Sequence, residues 1–242
     1  MTLHYRTYGF VLKKEDRFEA DRVFSVFTKE FGRVEVTGRA IRKIASKLRG
    51  GIDLFSLSEV EFIQGKNKKT LTDAITIETY KNILESPEKL QVAYKISDMV
   101  ACFVKEQQQD ETIFNLLQEA LGKLNEPQLP VKTYPLAYYY FLWNFVSALG
   151  YAPELSVCAV CAEKLNPQSL YFSNKEGGAV CQTCAAWSNA VKITSDVVKV
   201  ARLLLKKDWD MLKRLTIGES AKRQLEKVSE EYLAYLISSH AS

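Results

Sequence analysis

The sequence predicts an α+β fold, in which a small N-terminal β-barrel precedes an α-helical domain that a cysteine-rich segment interrupts. Three observations support this prediction: short alternating strands fill residues 1–80, helical periodicity begins near residue 86, and four of the five cysteines fall in one short segment. A chain of 242 residues is long enough for two domains with sizeable cores. We expect the domains at 1–80 and 81–242, with the cysteine segment at 155–190.

The first 80 residues contain five short strands separated by charged or glycine-containing turns. In RVEVTG, Val34 and Val36 alternate with charged residues, which is the period of a half-buried strand. Five strands in so short a stretch predict a small closed barrel of the OB-fold size, and strand count alone leaves an SH3-like barrel as the alternative. In the fifth strand, LTDAITIETY, four residues are expected to share one face: Leu71, Asp73, Ile75 and Ile77.

Residues 81–242 show the periodicity and boundary signals of α-helices. Ser86 followed by Pro87 is typical of a helix N-terminus, and Asp110 and Thr133 are expected to begin the next two helices. The helix YPLAYYYFLWNFVSALG is apolar on almost every face, which predicts burial in the middle of a bundle. Three further helices are expected after the cysteine segment, and they begin near Ser195, Asp208 and Ser220.

Several classes of protein are disfavoured by the motifs that the sequence lacks. The longest apolar-rich stretch, residues 136–151, is too short to span a bilayer, and the first residues have no apolar signal core. We therefore expect a cytoplasmic protein, in a compartment where disulfides are rare. The two histidines, His4 and His240, lie near the termini, and the sequence has no phosphate-binding glycine loop. No catalytic residues and no enzymatic activity are predicted.

The four clustered cysteines form two Cys-x-x-Cys pairs, and 19 residues separate Cys161 from Cys181. This spacing is typical of a structural zinc site, in which four thiolates fill the tetrahedral shell and leave no position for water. A redox-active dithiol pair and buried inert thiols are the alternatives. Cys102, between apolar neighbours in a predicted helix, is expected in the core. The predicted ligands of one Zn²⁺ ion are Cys158, Cys161, Cys181 and Cys184.

The net charge of +4 comes entirely from the first 80 residues, which hold 15 Lys and Arg against 11 Asp and Glu. A charge run is usually a solvated face, but beside the strands of a barrel it indicates a nucleic-acid surface. Ile41, Ile44 and Leu48 recur at helical spacing within this run, which predicts a helix that packs on the barrel and presents its cations outward. The candidate phosphate contacts are Arg33, Arg39, Arg42, Lys43, Lys47 and Arg49, with Lys13 and Lys14 added from the first strand. The candidate base-stacking residues are Tyr5, Tyr8, Phe10, Phe24 and Phe27.

The order of these parts, and several motifs within them, resemble the RecO family of bacterial recombination mediators. The stretch YYYFLWNFVSALGYAPELSVCAVC and the later GGAVCQTC resemble its C-terminal domain, with a buried helix, a Gly-Tyr-x-Pro turn and two Cys-x-x-Cys pairs. YRTYGFVL and RVFSVFTKEFGRVEVTGRAIRK resemble its barrel, so that the resemblance covers nearly the whole chain. One departure is the charged KKEDRFEADR, where the family usually has a Gly-Glu-x-Asp-like turn.

The resemblance implies a non-enzymatic protein of recombinational DNA repair that binds single- and double-stranded DNA and anneals complementary strands. It implies action with RecR and the single-strand-binding protein to load the recombinase RecA, at the bacterial nucleoid. For the acidic, apolar C-terminal tail of the single-strand-binding protein, the sequence offers aromatic residues 138–143, with these cations as a possible rim: Lys132, Lys199, Arg202 and Lys206. A zinc-ribbon adaptor without direct DNA annealing is the alternative, and a metal-dependent nuclease is disfavoured by the closed ligand set.

Overall fold

The structure is a computed structural model that describes residues 4–66, 68–104 and 108–240 of the chain. By compactness the chain divides into two units, Met1–Leu129 and Pro130–Ser242. The first unit contains a β-barrel and the second is mainly helical, which confirms the predicted α+β class. Three helices that follow the barrel belong to the compact first unit, and the expected domain boundary after residue 80 stays a prediction.

The barrel consists of five strands that close in the order β1-β2-β3-β5-β4. All neighbouring strands are antiparallel except β3 and β5, which pair in parallel through Val36 and Thr37. A closed barrel of five strands in which β3 pairs with β5 is an OB-fold. The structure therefore confirms the OB-fold prediction over the SH3-like alternative. The strands are β1 (His4–Arg17), β2 (Asp21–Thr28), β3 (Gly32–Gly38), β4 (Ser56–Gln64) and β5 (Lys69–Thr79).

The fifth strand differs from its sequence prediction because it contains a β-bulge. The pairing with β4 skips Thr72, so that the alternation of inward and outward side chains shifts by one residue. Leu71 and Ala74 consequently face the barrel core, while Ile75 and Ile77 are exposed. The prediction that Leu71, Asp73, Ile75 and Ile77 share one face is therefore wrong.

The helices of the first unit begin at their predicted caps. The Ser86 hydroxyl accepts a hydrogen bond from the backbone N–H of the first turn, and the Asp110 carboxylate does the same in the next helix. Cys102 is exposed near the end of its helix, so the prediction of a core position for it is wrong. The helices are α1 (Lys81–Leu84), α2 (Pro87–Phe103) and α3 (Glu111–Leu124).

The second unit is built around one buried helix, as its apolar sequence predicts. Every residue of this helix from Leu136 to Val146 is buried, and Trp143 at its centre donates a hydrogen bond of 3.0 Å to the Ser229 hydroxyl. Among the helices that the structure describes, none is both long and apolar enough to cross a bilayer. The helices are α4 (Tyr134–Ala148), α5 (Gln182–Ala185), α6 (Ser195–Leu205), α7 (Trp209–Arg214) and α8 (Glu219–His240).

A small three-stranded sheet in the order β7-β6-β8 lies in the second unit, with β6 and β7 inside the cysteine segment and β8 directly after it. Phe172, on the central strand, contacts the rings of Trp143 in α4 and Tyr232 in α8 at centroid distances of 6.0 and 5.5 Å. The segment therefore shares its largest buried apolar side chain with the core of the helices. The strands are β6 (Leu170–Ser173), β7 (Gly178–Val180) and β8 (Val191–Ile193).

Candidate metal centre and candidate nucleic-acid interface

The structure brings the four predicted cysteines together into one cluster. Their sulfur atoms all lie within 4.8 Å of one another, and Cys161 Sγ is 3.9 Å from Cys181 Sγ. Four sulfurs at this spacing can surround one metal ion. Among the described residues, this is the one group of His, Cys, Asp or Glu side chains close enough to hold a metal ion. The cluster is formed by Cys158, Cys161, Cys181 and Cys184.

Backbone hydrogen bonds form the two turns that carry the cysteines. In the first turn Ala162 N donates to Cys158 O at 2.9 Å, and Ala162 adopts a left-handed φ of 58°. The second pair of cysteines lies at the start of α5. The turns are joined through the backbone, because Ala159 N donates to Ala179 O on β7 at 2.8 Å. A side chain at Gly178 would place its Cβ 2.4 Å from Glu154 O, so this close approach requires glycine.

The electrostatics of the cluster favour one thiolate in the absence of a cation. Burial disfavours the thiolate of Cys158, but the N–H groups of Cys161, Cys181 and Val160 donate to its sulfur, and together they lower the pKa of Cys158 to about 6. Burial raises the pKa of Cys184 to about 12. A divalent cation at the centre would favour ionisation of all four thiols, so the donor set fits a thiophilic metal.

Three of the eight cations predicted to contact DNA carry an acidic partner on the barrel. The Arg22 guanidinium also hydrogen-bonds Asp16, at 2.6 Å, and this contact lowers the pKa of Asp16 below its ordinary value. These three predicted cations are therefore partly neutralised before any ligand arrives. The pairs, with their nitrogen–oxygen distances, are Lys13–Glu15 at 2.8 Å, Lys14–Asp53 at 2.5 Å and Arg42–Asp16 at 3.5 Å.

Arg33 occupies a different position from the other predicted cations. It is half-buried in a cleft beside α2, where its Nε and the hydroxyls of Ser25 and Ser97 have no hydrogen-bond partner within the described residues. The remaining four predicted cations lie on the connection between β3 and β4, are exposed, and form no ion pair with the described residues. These four are Arg39, Lys43, Lys47 and Arg49, and we call the segment 39–51 that carries them the basic loop.

The basic loop is irregular, and the predicted amphipathic helix is wrong. One 3₁₀ turn forms at Lys47–Gly50. Ile41 joins the buried core of the barrel and Leu48 packs against that core, whereas Ile44 is 93% exposed. The loop is thus attached to the barrel at both ends, and its middle projects into solvent.

Contacts outside the loop explain why it does not form a helix. At its start, Ala40 N donates to the Asp21 carboxylate at 2.8 Å, and Arg42 N donates to Ala20 O at 3.0 Å. At its end, a Cβ on Gly51 would lie 1.8 Å from Ala74 O, which shows how closely the loop approaches β5. Between these attachments, Lys43 N donates to Ala40 O at 3.1 Å and Ser46 N donates to Lys43 O at 3.0 Å, so the loop is built from i→i+3 turns and not from the i→i+4 hydrogen bonds of an α-helix.

The turn between β1 and β2 presents an exposed aromatic residue beside cations. Phe18 is 87% exposed and has a left-handed φ of 53°, an uncommon and strained conformation for a bulky side chain. With Arg17, Lys68 and Lys69 it lines an open cleft of about 270 Å³ on the barrel. None of these four residues is among the predicted DNA contacts, although the sequence contains one signal for them: a phenylalanine in an otherwise charged turn, KKEDRFEAD.

Most of the predicted base-stacking residues belong to the core instead. Phe10, Phe24 and Phe27 are fully buried inside the first unit, so they cannot meet a base without unfolding. Tyr5 is half-buried and stacks on another core ring at 5.3 Å. Tyr8 is 44% exposed and stays available. Sequence alternation does not separate an aromatic that faces the core from one that faces solvent when a strand bulges, as β1 does between Val11 and Lys13.

The second unit divides the predicted tail-binding residues between two neighbouring cavities that share the segment Leu215–Ile217. A cavity of about 440 Å³ has apolar walls with Lys199, Arg202 and Lys206 at its rim, although Arg202 also donates a hydrogen bond to Leu155 O at 3.2 Å. A second cavity of about 400 Å³ contains Lys132, Leu136 and Tyr139, with Lys222 and Arg223. Other aromatics of residues 138–143 are buried and line neither cavity.

The fold and the site together define a class: proteins in which an OB barrel with exposed basic loops is joined to a helical unit that carries a four-thiol metal centre. Comparison with known families assigns the chain more narrowly. The family model "Recombination protein O N terminal" matches residues 1–80, and "Recombination protein O C terminal" matches residues 84–241. The chain therefore belongs to the RecO family of DNA repair and recombination proteins.

Curated relatives agree with this assignment over most of their length. A protein named DNA repair protein RecO from Dehalococcoides mccartyi is 32% identical over 92% of this chain and 86% of its own. A protein of the same name from Alkaliphilus metalliredigens is 28% identical over 94% of this chain and 92% of its own. The resemblance that the cysteine and barrel motifs indicated is confirmed.

Proposed function

We propose that this protein is a DNA-binding recombination mediator that anneals complementary strands in recombinational DNA repair. It acts with RecR and the single-strand-binding protein to load the recombinase RecA, in the bacterial cytoplasm at the nucleoid. The observation that carries the proposal is the group of exposed cations on the basic loop of an OB barrel, which form no ion pair with any residue in the described part of the chain. Such a surface attracts phosphates of any sequence, because phosphate contacts carry no base information.

The first test measures how DNA affinity depends on salt. If roughly four to six phosphates are neutralised, the slope of log K against log salt is about −3 to −5, and replacing Lys43, Lys47 and Arg49 together by Ala flattens it by about two to three units. The matched control replaces three exposed lysines away from the basic loop: Lys81, Lys175 and Lys192. If the two triple variants bind DNA with equal affinity and equal salt slope, the basic loop is only a solvated surface and not a DNA-binding site.

A structural Zn²⁺ ion in the four-cysteine cluster is part of this proposal. The closed thiolate set leaves no position for a catalytic water, which supports a role in folding and not in strand cleavage. Elemental analysis of protein purified without chelators is expected to give one zinc per chain. A different metal or a disulfide between the pairs would overturn the assignment.

The cavities on either side of Leu215–Ile217 support a site for the tail of the single-strand-binding protein. An acidic, apolar tail needs apolar walls rimmed by cations, and both cavities have them, although Lys199 pairs with Asp196 and Lys222 with Glu219 at the two rims. A labelled tail peptide is expected to lose affinity on charge reversal of the cavity that it occupies, so Lys206→Glu and Lys132→Glu distinguish the two. A peptide that binds wild type and both variants equally would exclude these cavities.

One observation favours the alternative of a protein-binding adaptor. Trp187, which follows the second cysteine pair, is 75% exposed, and exposed tryptophan is frequent at protein interfaces. If the protein is an adaptor without annealing activity, complementary oligonucleotides are expected to anneal at the same rate with the protein as without it. Acceleration of annealing that Trp187→Ala does not reduce would favour the mediator.

A further inference from the structure

Two apolar side chains on adjacent loops of the barrel lie outside its core. Ile44 in the basic loop and Phe18 in the β1–β2 turn are 93% and 87% exposed, and they are the two most exposed large apolar side chains among the described residues. A single exposed apolar residue is normal on a protein surface, so a binding role for this pair has to come from its position on the barrel and from the charges around it.

Hydrogen bonds hold the two loops against each other. The residues that follow Phe18 supply both acceptors: Ala20 O accepts from Arg42 N, and the Asp21 carboxylate accepts from Ala40 N. The Asp16 carboxylate, before Phe18, forms the ion pair with Arg42. The β1–β2 turn and the start of the basic loop are therefore neighbours on the barrel surface, and each of them carries one projecting apolar side chain.

The conformation of both loops is maintained against local preference. Phe18 and Ala40 each adopt a left-handed φ, of 53° and 50°. Non-glycine residues persist in this region where surrounding contacts over-determine them, and such positions cluster at functional sites. Burial of Ile41 in the barrel core fixes the start of the basic loop, while Ile44, three residues later, points into solvent.

The surroundings of the pair select a nucleic acid as its ligand. Phe18 borders a cleft in which three cations, Arg17, Lys68 and Lys69, outnumber two carboxylates, Asp21 and Glu35. Ile44 follows Lys43 in the basic loop. An aromatic ring among cations suits the face of an unpaired base. An isoleucine has no π-face to stack on a mobile base, but it can enter a step of stacked bases, as the apolar wedges of duplex-binding proteins do.

We propose that Phe18 and Ile44 form a wedge for the junction between single-stranded and duplex DNA. Phe18 stacks on the first unpaired base, and Ile44 packs against the last base pair while the cations of the basic loop contact the phosphates on both sides. This inference rests on the proposed function. The cations of the basic loop bind DNA of any structure, and the wedge makes a junction the preferred ligand. A junction is the structure that forms when two strands begin to anneal.

The test compares three fluorescent DNA probes of related sequence at one salt concentration: a single strand, a blunt duplex and a duplex with a single-stranded tail. The variants are Phe18→Ser and Ile44→Ser, and the matched control is Ile77→Ser, which removes another exposed isoleucine from the same barrel. Phe18→Ser is expected to weaken binding of the single strand and of the tailed duplex by about tenfold, within the range for one lost base–aromatic contact.

Ile44→Ser is expected to weaken binding of the tailed duplex several-fold and to leave the single strand unaffected. Neither variant changes the salt slope, because neither removes a cation. A fluorescent adenine analogue in the last base pair is expected to brighten when the wild type binds and to brighten less with Ile44→Ser. If both variants bind all three probes as Ile77→Ser does, the wedge is wrong. If the wild type itself binds no DNA, the proposed function fails as a whole.

Discussion

The barrel and the cysteine segment are both small β-structures, but different interactions hold them together. The barrel encloses a cluster of eleven buried apolar residues, to which all five strands contribute. The strands of the segment have three or four residues each, and its two cysteine turns meet at four sulfurs. A sheet of that size is at best marginally stable alone. The barrel can therefore project strained, exposed loops without loss of its core, whereas the segment depends on its cluster and on the helices beneath it.

Removal of one cysteine tests the dependence of the segment on metal, and we expect the largest effect here. Cys158→Ser should abolish metal binding and loosen residues 155–190, because apparent binding free energies of structural zinc are about 10–16 kcal/mol. Amide hydrogen exchange should increase there while the barrel amides keep their protection. Cys102→Ser, which removes an exposed cysteine outside the cluster, is the control and should retain both metal and protection. If the barrel amides also lost their protection from exchange in Cys158→Ser, the barrel would depend on the metal cluster, which would contradict its stabilisation by its own core.

Removal of one large core ring from each region should have an intermediate effect. Phe24→Ala in the barrel and Phe172→Ala in the segment each remove a buried ring, at a cost of about 3–5 kcal/mol. Phe24→Ala should lower the protection of barrel amides and leave metal content unchanged. Phe172→Ala should also disturb Trp143 and Tyr232, because all three rings are in contact. Tryptophan fluorescence that changes equally in the two variants would argue against separate cores.

Features set by nearby residues were predictable from the sequence. The caps at Ser86 and Asp110, the buried helix α4 and the cysteine cluster all follow from local spacing, and the structure contains each of them. Each Cys-x-x-Cys turn is a local structure, and the site forms when the two turns meet. The spacing of the four cysteines in the sequence is therefore enough to predict the cluster.

Features set by closure of the barrel were not predictable in the same way. Ile41, Ile44 and Leu48 have helical spacing, but contacts with the β1–β2 turn and with β5 determine which of them is buried. The bulge at Thr72 likewise depends on the register with β4. Exposure of Phe18 follows from the position of the turn, which only the pairing of β1 and β2 defines. Long-range contacts therefore decide which side chains of the barrel are free to bind.

The smallest expected effect concerns the ion pair at the far end of the β3–β4 connection. Lys14 contacts Asp53 at 2.5 Å, and Leu54 N donates to the same carboxylate at 2.7 Å. Burial opposes ionisation of Asp53, but these two hydrogen bonds outweigh it and lower its pKa below the ordinary value. A lowered carboxyl pKa stabilises the fold above the ordinary pKa, and this contribution is lost as the pH falls through the lowered value.

Asp53→Asn should therefore destabilise the barrel at neutral pH by less than about 1 kcal/mol, since the pair is largely exposed and screened by solvent. The difference from wild type should shrink as the pH falls below the carboxyl range. Asp73→Asn is the matched control, because Asp73 accepts a hydrogen bond from the following N–H in the same way but has no ion pair among the described residues. Urea unfolding followed at barrel amides, at neutral and acid pH, measures both variants. A cost for Asp53→Asn that persists at low pH would mean that the ion pair is not its source, and that the hydrogen bond from Leu54 N or the local packing of Asp53 is.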